Sequence, residues 1–153
     1  YYMGNKKFDV TEFFDYLNER TGTYVLCFDI VGLMRINDDI SREAGDKVIL
    51  ESLKRINAAA GKDMPVLRIG GDEFVMVTGL DDVEKVTKIA KAVMEKNGVQ
   101  TAYKGGTVPV SIRSGAVMIR KPLKYSMLCH DFDEVISFAR NDGEVHFAKA
   151  EQK

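Results

Sequence analysis

Apolar positions along the chain change rhythm at regular intervals, and each rhythm predicts an element. Phe8, Thr11, Phe14 and Leu17 recur at helical spacing with Phe13 alongside, which predicts an amphipathic helix over residues 7–19, ended by Thr21-Gly22. Tyr24 to Ile30 is a nearly continuous apolar run with Asp29 near its C-terminal end, the pattern of a central strand covered on both faces. A short helix is expected from Gly32 to Asp38, with Leu33 and Ile36 facing in. Ser41 is a good N-cap for the next helix, whose apolar stripe is Val48, Ile49, Leu53 and Ile56 and whose end lies at Ala58-Ala59-Ala60-Gly61. Residues 66–78 read as strand, tight turn, strand. Asp81 is expected to cap a further helix with Val83, Val86, Ile89, Ala90, Val93 and Met94 inward, closing at Asn97-Gly98. Val108 to Ile119 reads as another strand, Phe132 to Asn141 as a helix stopped by Gly143, and Glu144 to Phe147 as a last short strand.

Strands and helices therefore alternate, with one hairpin in the middle and no internal repeat, linker or low-complexity stretch. The expected architecture is α/β or α+β: one mixed, largely antiparallel sheet with helices packed on it. The chain has 153 residues, which suits a single domain with one sizeable core.

Charge narrows the function classes. Lysine plus arginine is 22, aspartate plus glutamate is 23, and the net charge is −1, so binding of nucleic acid through bulk charge is not expected. A small phosphate ligand needs only a local site and stays open. Cys27 and Cys129 lack metal-like spacing and fit a reducing compartment, with Cys27 a buried thiol. No apolar run approaches the length that crosses a bilayer, and no signal-peptide pattern is visible. A cytoplasmic location without membrane contact by this domain is the expectation. The chain begins at Tyr1 rather than Met, which suggests a piece of something longer.

The chemistry concentrates in "RIGGDEF", Arg68 to Phe74, at the bend of the hairpin. A tight turn uses glycine at positive φ. It has no need of Asp72 and Glu73. If the strand ending at Asp29 neighbours the hairpin, the carboxylates of Asp29 and Asp72 converge. Paired carboxylates plus a backbone carbonyl suit Mg²⁺, which takes hard oxygen ligands and keeps waters for a phosphate substrate. From spacing alone, a metal site and two strand-end acids in water are equally good readings.

The full run resembles the signature of GGDEF domains, the diguanylate cyclases. "FDIVGLMRIND" (residues 28–38) is similar to the family's first metal-binding strand and the helix after it, and "AGDKVI" (44–49) to its next helix start. "DEVISFARNDG" (133–143) resembles its C-terminal helix, and "GNKKF" (4–8) the end of its N-terminal motif. The resemblance implies a nucleotidyl-cyclase or polymerase-palm-like fold. It implies Mg²⁺, or Mn²⁺, held by Asp29, the carbonyl of Ile30, and Asp72, which would also help activate a ribose 3′-hydroxyl. Glu73 would support the site, and Gly70 and Gly71 would let the turn approach the nucleotide. Asn37 and Asp46 would read guanine, and Arg140 would hold the terminal phosphates. The bland alternatives are a helix C-cap for Asn37 and a solvated helix residue for Asp46. The implied reaction condenses two GTP into cyclic di-GMP across a transient homodimer. The implied context is a sensory or output domain attached upstream or downstream.

The chain departs from the family at positions that carry charge. Val31 stands where a second aspartate is usual, Met34 where a phosphate-steadying lysine is usual, and Glu144 where another arginine is usual. Slow turnover is therefore expected. Gly61 and Met64 stand where the family's product-inhibition arginine and aspartate would be, so feedback through that turn is not expected. A degenerate domain that binds GTP and regulates an attached module is the alternative. A nucleotide-independent interaction domain is a third reading, which Asp29, Asp72, Asn37 and Asp46 disfavour.

Overall fold

Every side chain of the Tyr24–Ile30 strand is buried, so this segment must lie between two layers. The computed structural model describes residues 2–3, 6–7, 10–121, 124–139 and 142–148. Its elements in order are β1 (Tyr2–Met3), β2 (Lys6–Lys7), α1 (Val10–Asn18), β3 (Tyr24–Ile30), α2 (Leu33–Asp39), α3 (Arg42–Ala59), β4 (Val66–Arg68), β5 (Glu73–Val77), α4 (Val83–Met94), β6 (Gln100–Tyr103), β7 (Gly106–Pro109), β8 (Ile112–Met118), α5 (Tyr125–Phe138) and β9 (Val145–Phe147). The central sheet has the order β4-β5-β3-β8-β9. All its pairings are antiparallel except β8 with β9. This is the mixed, largely antiparallel α+β architecture that the sequence predicts.

The period of two along β3 sorts its side chains between two cores. Leu26, Phe28 and Ile30 pack with Ile36, Val48, Ile56 and Val86 beneath α2, α3 and α4. Val25 and Cys27 pack with Phe13 and Leu17 of α1 and with Phe132, Val135 and Ile136 of α5. Cys27 is a free, buried thiol, and burial pushes its pKa up. Arg55 is buried and donates to the carbonyls of Lys96, Val99 and Val110, tying α3 to the chain that leads into β8.

Several boundaries differ from the sequence reading. Lys7 lies in β2, α1 begins at Val10, and its core face runs through Phe13 and Leu17 while Thr11 is exposed. Phe8 lies outside the described residues. The cap of α4 is Asp82, whose side chain accepts from the N–H groups of Glu84 and Lys85, so Asp81 is not the cap and Val83 is exposed. Helix α4 ends at Met94, and Asn97 instead clamps β8, donating to the Ile112 carbonyl at 2.8 Å and accepting from its N–H at 3.0 Å. The stretch read as one strand from Val108 is two elements, because β7 closes a hairpin with β6 before β8 begins. Helix α5 starts at Tyr125, seven residues before the expected Phe132. Among the described residues, no helix is long and apolar enough to cross a membrane.

Candidate active site

The antiparallel register sets three charged residues side by side. Asp29 of β3 faces Glu73 of β5 on one side and Arg113 of β8 on the other. Directly opposed residues point to the same face of a sheet. Asp72 precedes β5, and its carbonyl accepts from the N–H of Ile30 at 2.9 Å, which fastens the turn to the end of β3. One carboxylate oxygen from each of Asp29, Asp72 and Glu73 lies within 4.8 Å of the others. The convergence that the sequence made conditional on strand pairing is present.

Three carboxylates at this spacing repel one another. At an effective dielectric of about 20, each fully charged pair costs roughly 3 kcal/mol before compensation. Asp29 is buried, and burial raises its pKa; the guanidinium of Arg113 pulls it part of the way back, and Asp72 adds to the rise. Glu73 is also raised, first by burial and then by the charges of Asp29, Asp72 and Asp133. Arg113 Nε donates to Asp29 Oδ2 at 3.1 Å, and its Nη2 pairs with the same oxygen. A hard, multidentate oxygen cluster under mutual repulsion fits a divalent cation such as Mg²⁺ or Mn²⁺.

The turn itself corrects one expectation. Neither Gly70 nor Gly71 is at positive φ. A Cβ on Gly71 would meet nothing within 4 Å, and one on Gly70 would make only ordinary contact with Glu73. Arg68 braces the turn instead, donating to the carbonyls of Gly70 at 3.1 Å and Gly71 at 2.6 Å. Neither a positive φ nor a crowded Cβ position calls for glycine at 70 or 71.

Helices α2 and α3 present the other candidate residues. Asn37 is half-buried within α2, whose C-cap is Ile40, so the capping alternative for Asn37 does not hold. A Cβ on Gly45 would overlap Asn37 Oδ1 and stand 2.8 Å from its Cγ, so this glycine makes room for the carboxamide. Asp46 follows it and is exposed on the first turns of α3. Ser41 caps that helix as expected, accepting from Ala44 N–H at 3.0 Å, and shares a hydrogen bond with Tyr103 of the β6–β7 hairpin. Lys104 at the hairpin tip pairs with Glu43.

Met34 is 77% exposed and brings no charge to the site. Glu144 is engaged by Lys91 of α4 at 3.4 Å. Arg140 lies outside the described residues. Sequence reasoning missed Arg113 altogether, because its position opposite Asp29 depends on the β3–β8 register and on no local motif.

A sequence profile described as "Diguanylate cyclase, GGDEF domain" matches residues 11–146. The chain belongs to the GGDEF domain family. Among curated relatives, diguanylate cyclase DosC of Escherichia coli K12 is 27% identical to this GGDEF domain over 129 residues, covering 81% of the chain and 28% of DosC. The chain thus spans under a third of that relative's length. The solved GGDEF domain of PA1120 (TpbB or YfiN) from Pseudomonas aeruginosa superposes with a TM-score of 0.78 at 23% identity, covering 94% of each chain. The GGDEF domain of DgcB from Caulobacter crescentus, solved in complex with c-di-GMP, gives 0.76 at 19% identity, covering 91% of this chain and 87% of that one. At these identities the structures establish the fold.

Proposed function

We propose that this GGDEF domain condenses two GTP molecules into cyclic di-GMP with release of two pyrophosphates. The observation that carries the reading is the convergence of Asp29, Asp72 and Glu73 within 4.8 Å beside two glycines that the fold does not require. Asp29, Asp72 and the carbonyl of Ile30 are the groups that would hold Mg²⁺ or Mn²⁺. Such an ion supplies Lewis-acid stabilisation of phosphoryl charge and lowers the pKa of a coordinated hydroxyl. Glu73 supports the cluster from the adjoining strand. Asn37 and Asp46 recognise guanine: a carboxylate accepts from N1–H and the exocyclic amine, and an amide bonds the purine edge. Gly70 and Gly71 admit the nucleotide against the turn, and Arg140 binds the terminal phosphates.

One domain offers one GTP site, and each 3′-oxygen attacks the α-phosphate of the other nucleotide. Two loaded domains must therefore meet face to face in a transient homodimer. Turnover is slow, because Met34 and Glu144 leave two phosphate-facing positions without a cation. Losing one such group costs on the order of 10²–10³ in rate. The chain forms a single GGDEF domain, residues 1–153, of a longer cytoplasmic or membrane-anchored signalling protein that carries a sensory or output domain. Product feedback through the turn at Gly61 and Met64 is not part of this reading.

A second reading is favoured by a specific observation. Arg113 already occupies an oxygen of Asp29, and with Val31, Met34 and Glu144 it supports a domain that binds GTP and regulates its neighbour without turnover. Calorimetric titration of GTP, with and without Mg²⁺, tests the metal site common to both readings. Wild type should show Mg²⁺-dependent affinity that falls in Asp29→Ala and in Asp72→Ala. Affinity unchanged in both variants would remove the metal site.

A further inference from the structure

The acid cluster carries three carboxylates, and among the described residues the cation hydrogen-bonded to it is Arg113. Both interactions of its guanidinium converge on Asp29 Oδ2, inside a residue that is only 5% exposed. Its own side chain is 32% exposed, so the positive charge sits at the boundary between the buried acid and solvent. The register fixes it there: Arg113 is the direct cross-strand partner of Asp29 on β8, as Glu73 is on β5. Its strand neighbours Ile112 and Ser114 are both buried, whereas the Arg113 side chain keeps about a third of its surface exposed.

We infer that Arg113 is a selectivity residue that makes the site favour a metal–nucleotide complex over the bare metal ion. This rests on the proposed metal and GTP site. The physics gives the two effects opposite signs. A fixed guanidinium repels a divalent cation binding to the same carboxylate and competes for its oxygen, which weakens bare Mg²⁺. A Mg²⁺–triphosphate complex carries net negative charge, and the same guanidinium attracts it. Arg113 thereby supplies a cation near the phosphates in a chain that lacks one at Met34 and has an acid at Glu144. In the absence of ligand it also holds Asp29 in place, which prevents the cluster from splaying under its own repulsion.

The test uses Arg113→Gln and Arg113→Lys in the intact chain, with MgCl₂ alone and α,β-methylene-GTP in excess Mg²⁺ as the two probes. Affinities are read by calorimetry, and folding by circular dichroism. Arg113→Gln should bind bare Mg²⁺ about tenfold more tightly and the Mg²⁺–nucleotide complex about tenfold more weakly. Arg113→Lys, which keeps the charge, should stay near wild type on both. Shifts of the same sign, or no shift, in folded Arg113→Gln would overturn the inference. If wild type and variant both ignore Mg²⁺ under all conditions, the metal site itself falls, which is a separate outcome that takes this inference with it. Should Arg113→Gln fail to fold, the Arg113 Nε–H resonance of wild type decides: it should move on adding the Mg²⁺–nucleotide complex, and a stationary resonance overturns the inference.

Discussion

Replacing Gly71 by alanine separates what the fold needs from what a ligand needs. The residue is exposed, its φ is not positive, and an added Cβ has no neighbour within 4 Å. Nothing inside the chain resists the methyl group. Where the native backbone suits alanine, the exchange stabilises by about 0.4–1 kcal/mol through lost freedom of the unfolded chain. For a domain of this size, each kcal/mol moves the melting temperature by about 2–4 °C. Gly71→Ala should therefore melt about 1–4 °C higher than wild type without ligand. If the turn lies against the nucleotide, the methyl group intrudes on it, and affinity for GTP in Mg²⁺ should fall about tenfold or more. Thermal denaturation followed by circular dichroism reads the first effect, and calorimetry reads the second. A higher melting temperature with unchanged GTP affinity would refute the ligand-based reason for the glycine. A melting temperature several degrees lower would refute the claim that the fold does not need it.

Three further substitutions follow the same logic. Gly45→Ala gains up to about 1 kcal/mol of helix propensity but must turn Asn37 away, so stability should hold while preference for GTP over ATP falls about tenfold in competition binding; an unchanged preference would remove Asn37 from the guanine pocket. Gly115→Ala would place a Cβ of β8 2.7 Å from Val135 Cγ1 of α5 and should cost about 1–3 kcal/mol in denaturant unfolding; a loss below about 0.5 kcal/mol would show that α5 yields freely. Asp29 has a folded-state pKa raised above 3.8, so in metal-free protein its charge opposes folding at neutral pH, and that penalty disappears as pH falls from above the raised value to below 3.8. Asp29→Asn should accordingly melt higher than wild type at pH 7 without metal, with the gain shrinking toward pH 4; a variant less stable at pH 7 would mean that the pairing with Arg113 outweighs burial.

The parts of the fold that the sequence announces are those whose signals are local. The apolar run of Tyr24–Ile30 declares a doubly covered strand, and Ser41 declares a helix start because its hydroxyl has a partner three residues on. The β6–β7 hairpin carries a turn signal, Gly105 at φ 79 beside Lys104 at φ 45, but its largely exposed strands show no apolar run to mark them as strands. The early start of α5 is hidden because Lys124 makes no side-chain cap. The parallel pairing of β9 is likewise a tertiary outcome that a three-residue segment cannot encode. At the site, Asp29, Asp72 and Glu73 are legible because a motif carries them. Arg113 and Gly45 are not, since one acts through register with a strand 84 residues away and the other through the space that it leaves for Asn37.

Condensation of GTP at the acid cluster is tested by product formation. The domain, at a series of concentrations, is incubated with GTP and Mg²⁺, and cyclic di-GMP and pyrophosphate are quantified by mass spectrometry. Cyclic di-GMP should form at a rate that rises more steeply than linearly with protein concentration, and its formation should be lost in Asp72→Ala. No product at concentrations where GTP demonstrably binds, or product undiminished in Asp72→Ala, would contradict condensation at this cluster.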